Sequence, residues 1–174
     1  SVSLLNRLKG TGILPLRVAR EHGVVGVPAR AIGIAHDTRV DYPYAGYDEL
    51  FLQEIPTEQD GDVYARFRVR IKEVHESIKI IQQAWRNIPD GGTAISTEGK
   101  LKKNSLAVSC VEGWRGEIVY FITTDSHGNI SRVAPRDPSF TNWAALGHAG
   151  AGNVVPDFPL INKSFNLSYS GNDL

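Results

Sequence analysis

The residue types able to do chemistry lie closest together at Glu112-Gly113-Trp114-Arg115-Gly116-Glu117, where two carboxylates, a guanidinium and an indole share one short turn. A carboxylate held beside an arginine stays ionised, which suits charge orientation better than acid catalysis. Two readings are open: Arg115 pairs with a glutamate and closes the turn, or Glu112, Arg115 and Glu117 act as supporting or proton-path residues beside a cavity. A second concentration is the non-periodic stretch 36–54, where His36, Asp37, Arg39 and Asp48 surround Tyr42, Tyr44 and Tyr47. Those phenols suit either an ordered loop laid over the core or an interface. Other sources of chemistry are thin. His22, His36, His75, His127 and His148 show no metal-ligand spacing with one another or with a cysteine. Cys110 reads as a small apolar residue of a strand, and the sequence around it lacks a Gly-x-Ser-x-Gly elbow. The glycines at 10–12 and 23–33 follow no clear strand and lack the Gly-Lys ending of a phosphate loop.

These groups need a scaffold, and its spine is the stretch from Asp62 to about Ile88. Phe67, Ile71, Val74, Ile78, Ile81, Trp85 and Ile88 recur in steps of four and three, one stripe of an α-helix about 40 Å long. Asp62 is the expected N-cap, and Pro89-Asp90-Gly91-Gly92 ends the run. A helix of this length must be the core of the domain or lie along a partner. The other face carries Arg66, Arg70, Lys72, Glu73, Glu76 and Lys79, with Lys72–Glu76 and Glu76–Lys79 spaced to pair. Before it, residues 4 to 9 read as a helix end, 16 to 22 as a short helix capped by Gly23, and Leu50 to Ile55 as a short strand. After a polar linker from Gly91 to Asn104, the period changes to two. Residues 105–111 and 116–123 read as strands, and Asp125 to Asn129 as a hairpin turn returning through Ile130 to Val133. From Pro138 the pattern is helical again, with Phe140, Trp143 and Leu146 expected against the sheet and Gly147, Gly150 and Gly152 as breakers. One more helical piece spans Val154 to Ile161, and Asn166 to Leu174 reads as a polar tail.

The fold class expected is therefore α+β: one domain over 1–174, mainly helical over 1–104, a small antiparallel sheet over 105–137, and helical pieces with a tail over 138–174. The 174 residues suffice for a real core. Charges balance, 19 Lys plus Arg against 19 Asp plus Glu, which gives no whole-chain case for nucleic acid. A single cysteine excludes an internal disulfide and fits a reducing compartment. The opening Ser1-Val2-Ser3 lacks an initiator Met and reads like the middle of a helix, so a fragment of a longer chain is expected.

Several spaced motifs then converge. Asn6-Arg7 with Gly10-Thr11-Gly12, Gly23 and Gly26 with Ala29-Arg30-Ala31 and Gly33, Asp37 with Arg39, and Pro43-Tyr44 with Tyr47-Asp48 occur in that order. Gly61-Asp62 with Tyr64 and Arg66, Glu112 with Arg115-Gly116-Glu117, and Pro138-Ser139-Phe140 follow. Together they resemble the C-terminal half of a large-subunit family: the quinone-proximal large subunit of respiratory complex I (NADH:quinone oxidoreductase) and the large subunit of energy-converting NiFe hydrogenases of the formate hydrogenlyase type. The resemblance implies the NiFe hydrogenase large-subunit fold, a partner carrying an iron-sulfur cluster, quinone in the full assembly, and a peripheral site on the cytoplasmic side of a membrane. It places Glu112, Arg115 and Glu117 around the former metal cavity, and Arg30, Asp37 and Arg39 in a polar region near the iron-sulfur subunit, with Tyr42, Tyr44 and Tyr47 as interface candidates. In hydrogenase members, nickel takes two Cys-x-x-Cys pairs. The later pair falls on Ser168 and Gly171, neither of which supplies a soft thiolate. The resemblance therefore implies no metal or cofactor held by this segment, and a non-catalytic scaffold with the same fold is the alternative.

Overall fold

The structure is a computed structural model that describes residues 2–49, 54–92, 94, 96 and 99–173. Four short helices come first: α1 (Val2–Leu8), α2 (Leu16–Glu21), α3 (Gly26–Arg30) and α4 (Thr38–Asp41). The long helix α5 (Val63–Asn87) follows, then strands β1 (Leu106–Gly113), β2 (Gly116–Thr124) and β3 (Ile130–Arg136). Helices α6 (Pro138–Gly150), α7 (Phe158–Phe165) and α8 (Tyr169–Asn172) close the chain. The architecture is α+β.

Helix α5 starts where its cap predicts. Asp62 accepts the Ala65 N–H at 2.7 Å through Oδ1 and the Gly10 N–H at 2.7 Å through Oδ2, so one carboxylate caps α5 and ties it to the end of α1. Of the two places expected for its apolar stripe, the core of the domain or the surface along a partner, the packing excludes the first. The side chains α5 buries are Val63, Ala65, Arg66, Val69 and, farther on, Ile80. The large apolar stripe faces out: Ile78 is 46%, Ile81 65% and Trp85 80% exposed. The reason is geometric. Helices α1, α3 and α7 meet α5 along the face that buries Val63, Ala65, Arg66 and Val69, and there Ala65 and Val69 join Val27 and Ala31 in a close contact.

Arg66, assigned by periodicity to the solvated face, is fully buried. Its guanidinium donates to Gly61 O at 2.6 Å, Gly12 O at 2.9 Å and Ser164 Oγ at 2.8 Å, and lies 4.4 Å from the Phe165 ring centroid. A buried cation is tolerated when its donors are met, and here they join the loop after α1, the start of α5 and α7. Of the two expected pairs on α5, Glu76–Lys79 forms at 2.6 Å, whereas Lys72 turns to Glu58 at 2.7 Å.

The sheet is the antiparallel meander β1-β2-β3. Gly113 pairs with Gly116 across a two-residue loop, and Glu112 stands directly opposite Glu117. At the second turn Asp125 Oδ1 accepts N–H groups of His127 and Asn129, as the turn chemistry predicts. Helix α6 runs through Gly147 to Gly150 and buries Pro138, Ser139, Asn142, Ala145, Leu146 and Ala149. Phe140 is exposed rather than packed on the sheet, because α6 lies mainly on α7 and α8, where small residues allow close approach. The expected tail is also structured: α8 forms, and Gly171 is buried. Residues 50–53 of the expected early strand lie outside the described residues, and Glu54 and Ile55 have no regular structure.

Candidate functional site

Two tight contacts set the site. Gly26 opens α3 with φ +68°, and a Cβ there would sit 2.0 Å from Arg115 O, so the β1–β2 loop docks directly on the helix start. Asn142 of α6 fixes the same point, accepting from Val25 N and donating to Val25 O, both at 3.0 Å. With α3 held against the hairpin, Arg30 at its last turn points into the gap between β1 and α5.

Arg30 is 2% exposed and bridges three elements. Its Nε donates to Glu73 of α5 at 2.6 Å, and its Nη1 donates to Glu112 of β1 and to His36 O, each at 2.9 Å. The second Glu112 oxygen accepts both N–H and O–H of Thr38 at 3.1 Å, and Tyr44 Oη accepts the Glu112 N–H at 2.9 Å. Asp37, 1% exposed, caps α4 and takes the Arg39 guanidinium through both oxygens, at 2.9 and 2.6 Å. Arg39 lies 5.9 Å from the Tyr47 ring, and Tyr44 and Tyr47 meet edge to face at 5.1 Å.

Arg30, Glu73, Glu112 and Arg39 form the polar side of a cavity of about 500 Å³, whose other wall is Val74, Ile78, Ile81 and Trp114. Burial works against the Arg30 charge, and Glu73 and Glu112 more than compensate, raising its pKa. Burial also opposes the Asp37 charge; hydrogen bonds from Arg39 and its charge outweigh that and hold the carboxyl below its usual range. Glu73 moves the other way: burial, reinforced by the nearby Glu112 charge, lifts it above an ordinary carboxyl despite Arg30. On the outer edge His36 Nδ1 meets Asp41 at 2.5 Å and its Nε2 lies 3.5 Å from Glu117, which also binds Arg136. The arrangement sets two carboxylates, Glu73 and Glu112, and two arginines, Arg30 and Arg39, on one cavity. It is a charge-paired wall, and none of the described residues that line it sets a nucleophile beside a base.

Residues far apart in sequence thus meet. Arg30, Asp37, Arg39, Tyr44, Tyr47 and Glu112 form one network, and Glu117 flanks it. Arg115 is not part of it: the expected pairing with a neighbouring glutamate is replaced by a 2.5 Å bond from its Nε to Asn166 O. Tyr42 is exposed and stands apart. Glu73 and Thr38 are network members that the sequence did not single out, whereas His36 stood in the 36–54 stretch that it did. Glu73 looked like one more charge on a solvated face, and only its register opposite Arg30 distinguishes it.

The two positions on which the resemblance places the later cysteine pair, 168 and 171, lie at α8. Ser168 caps that helix, accepting the Gly171 N–H at 3.1 Å, and contacts Ser170 Oγ at 3.1 Å. A Cβ at Gly171 would fall 2.5 Å from Cγ of Asp137, a carboxylate that itself caps α6 through the Ser139 N–H at 2.7 Å.

Comparison with known proteins agrees with the order of motifs. The family described as "Respiratory-chain NADH dehydrogenase, 49 Kd subunit" matches residues 2–106 and 94–173. The chain is 36% identical over 170 residues to an NADH-quinone oxidoreductase subunit of Herpetosiphon aurantiacus, covering 94% of this chain and 45% of the relative. It is 35% identical over 164 residues to "Carbon monoxide-induced hydrogenase" of Rhodospirillum rubrum, with the same coverage. To "NADH-quinone oxidoreductase subunit 4" of Thermus thermophilus it is 33% identical over 186 residues, covering 92% of this chain and 45% of the relative. The chain spans less than half the length of these curated relatives. With a match across nearly all of its length, it belongs to the respiratory-chain NADH dehydrogenase 49 Kd subunit family.

Proposed function

We propose that this chain is the part of a redox-complex large subunit that packs against an iron-sulfur subunit and shapes a proton-exchanging cavity beside it, without holding nickel. Relatives named as NADH-quinone oxidoreductase subunits and as a hydrogenase support the redox setting. The observation that carries the nickel-free part is the state of residues 168 and 171. A NiFe centre needs soft thiolates, and the residues present do not fit it: the Ser168 hydroxyl is engaged as a helix cap, Gly171 has no side chain, and the Asp137 carboxylate occupies the space a Cβ would need.

In this reading Glu112 and Glu117 serve the proton-exchanging cavity, Arg115 orients the β1–β2 loop, and Arg30, Asp37 and Arg39 hold the loop of Tyr42, Tyr44 and Tyr47 for contact with the iron-sulfur subunit. The exposed stripe of α5, Ile78 to Trp85, is the apolar area left for packing against more protein. No helix among the described residues is long and apolar enough to cross a membrane. The proposed place of the chain is peripheral, on the cytoplasmic side, with electron transfer to quinone in the full assembly. Co-purification of the full-length protein with its neighbours tests the packing: Ile81→Lys and Trp85→Lys should leave the fold intact and lose the neighbouring subunits. Full retention by both variants would refute it.

A further inference from the structure

A second cavity, of about 370 Å³, lies on the other side of Trp114, between the first half of α5 and α7. Its lining is mostly apolar; the residues with polar groups that border it are Arg70, Lys163, Ser164, Asn166 and Trp114, and none is a carboxylate. Phe67 and Leu160 supply apolar wall. The Arg70 guanidinium makes one long hydrogen bond, 3.4 Å to Arg66 O, and neither it nor Lys163 has an ion pair among the described residues. Glu73, whose charge reaches Arg70, is bound to Arg30 at 2.6 Å. Burial pushes the Arg70 pKa below its ordinary value, the mark of a cation stripped of water without a counter-ion in contact. A half-buried arginine with open donors, a lysine beside it and apolar walls match one ligand chemistry.

We propose that this cavity binds an oxyanion, a carboxylate or phosphate monoester, carried on an apolar tail: Arg70 and Lys163 take the head, and Phe67 and Leu160 take the tail. The inference does not rest on the redox reading, because it uses only the charges and walls of this cavity.

The test is calorimetric titration of the full-length protein with dodecanoate, dodecyl phosphate, dodecanol and inorganic phosphate, each alkyl probe kept below its micelle concentration. Saturable one-to-one binding of dodecanoate and dodecyl phosphate is expected. Arg70→Gln should weaken it by about tenfold or more, the loss of one charged hydrogen bond. Lys163 is exposed, so Lys163→Gln folds normally, and it should weaken both anions while leaving dodecanol unchanged. A fatty acid as source predicts binding of monomeric dodecanoate, and a membrane lipid predicts co-sedimentation with vesicles containing phosphatidic acid, lost in Lys163→Gln. Dodecanol binding as tightly as dodecanoate, inorganic phosphate binding as tightly as dodecyl phosphate, unchanged affinity in both variants, or no binding to any probe would each overturn the proposal.

Discussion

Glu112 is the most consequential side chain of the network, and its removal can be worked through from its contacts. Its carboxylate is 4% exposed and meets Arg30 and both donors of Thr38. Glu112→Ala leaves the Thr38 N–H unsatisfied and Arg30 with Glu73 and His36 O alone. Breaking a buried pair from one side costs about 3 to 5 kcal/mol, and the surviving Glu73 contact sets the expectation at the low end, about 3 kcal/mol. Glu112→Gln keeps the shape and one acceptor, and should cost about 1 to 2 kcal/mol. Urea unfolding of residues 1–174, followed by tryptophan fluorescence, measures both. Glu117→Ala is the comparison: its partners Arg136 and His36 are 48% and 29% exposed and water can replace the lost contacts, so its cost should fall below that of Glu112→Ala. A cycle with Thr38→Val should return a coupling above about 0.5 kcal/mol. A cost under 1 kcal/mol for Glu112→Ala, or additive single and double variants, would refute the network as described.

Trp85→Ala should change the stability of this chain by less than about 1 kcal/mol, since an indole 80% exposed has little packing to lose; a loss of about 3 kcal/mol or more in the same urea assay would place it in a core. Gly171→Cys should lower stability by about 1 to 3 kcal/mol through overlap with Asp137, and Asp137→Ser, which keeps a capping oxygen on a shorter side chain, should recover most of it; a stable Gly171→Cys by thermal melting would show that the space is there. Asp37 has a lowered folded pKa, so its contribution is fully present above the unfolded value of about 3.9 and is lost as pH falls through the folded one. Asp37→Asn should therefore flatten the fall of stability below about pH 4, and an unchanged acid limb would contradict the Asp37–Arg39 assignment.

Local chemistry was readable where it is self-contained. Asp62 announced the start of α5, and Asp125 with Gly128 announced the β2–β3 turn, because each contact lies within a few residues of its origin. Which face of α5 is buried was not readable from periodicity. Apolar residues at steps of three and four show what would gain from burial, and Arg66 against Ile81 shows that the neighbour decides. A close helix–helix contact selected Ala65 and Val69, and three acceptors on other segments made room for Arg66. The same limit hid the site. Arg30, Asp37 and Glu112 were each visible as members of spaced motifs, but they are joined through α3 docking on the β1–β2 loop, a contact that rests on Gly26 lacking a side chain. The reading that paired Arg115 with a glutamate failed for the complementary reason: its nearest charges in sequence are glutamates, and its partner in space is a backbone oxygen 51 residues away.

The account stands most directly on metal content and paramagnetic spectra of the full-length protein purified with the iron-sulfur subunit proposed as its partner, with and without added quinone. It predicts iron-sulfur signals that respond to quinone and no stoichiometric nickel. One nickel per complex would contradict the reading of Ser168, Gly171 and Asp137, and cluster signals indifferent to quinone would contradict the electron-transfer role and leave a scaffold in its place.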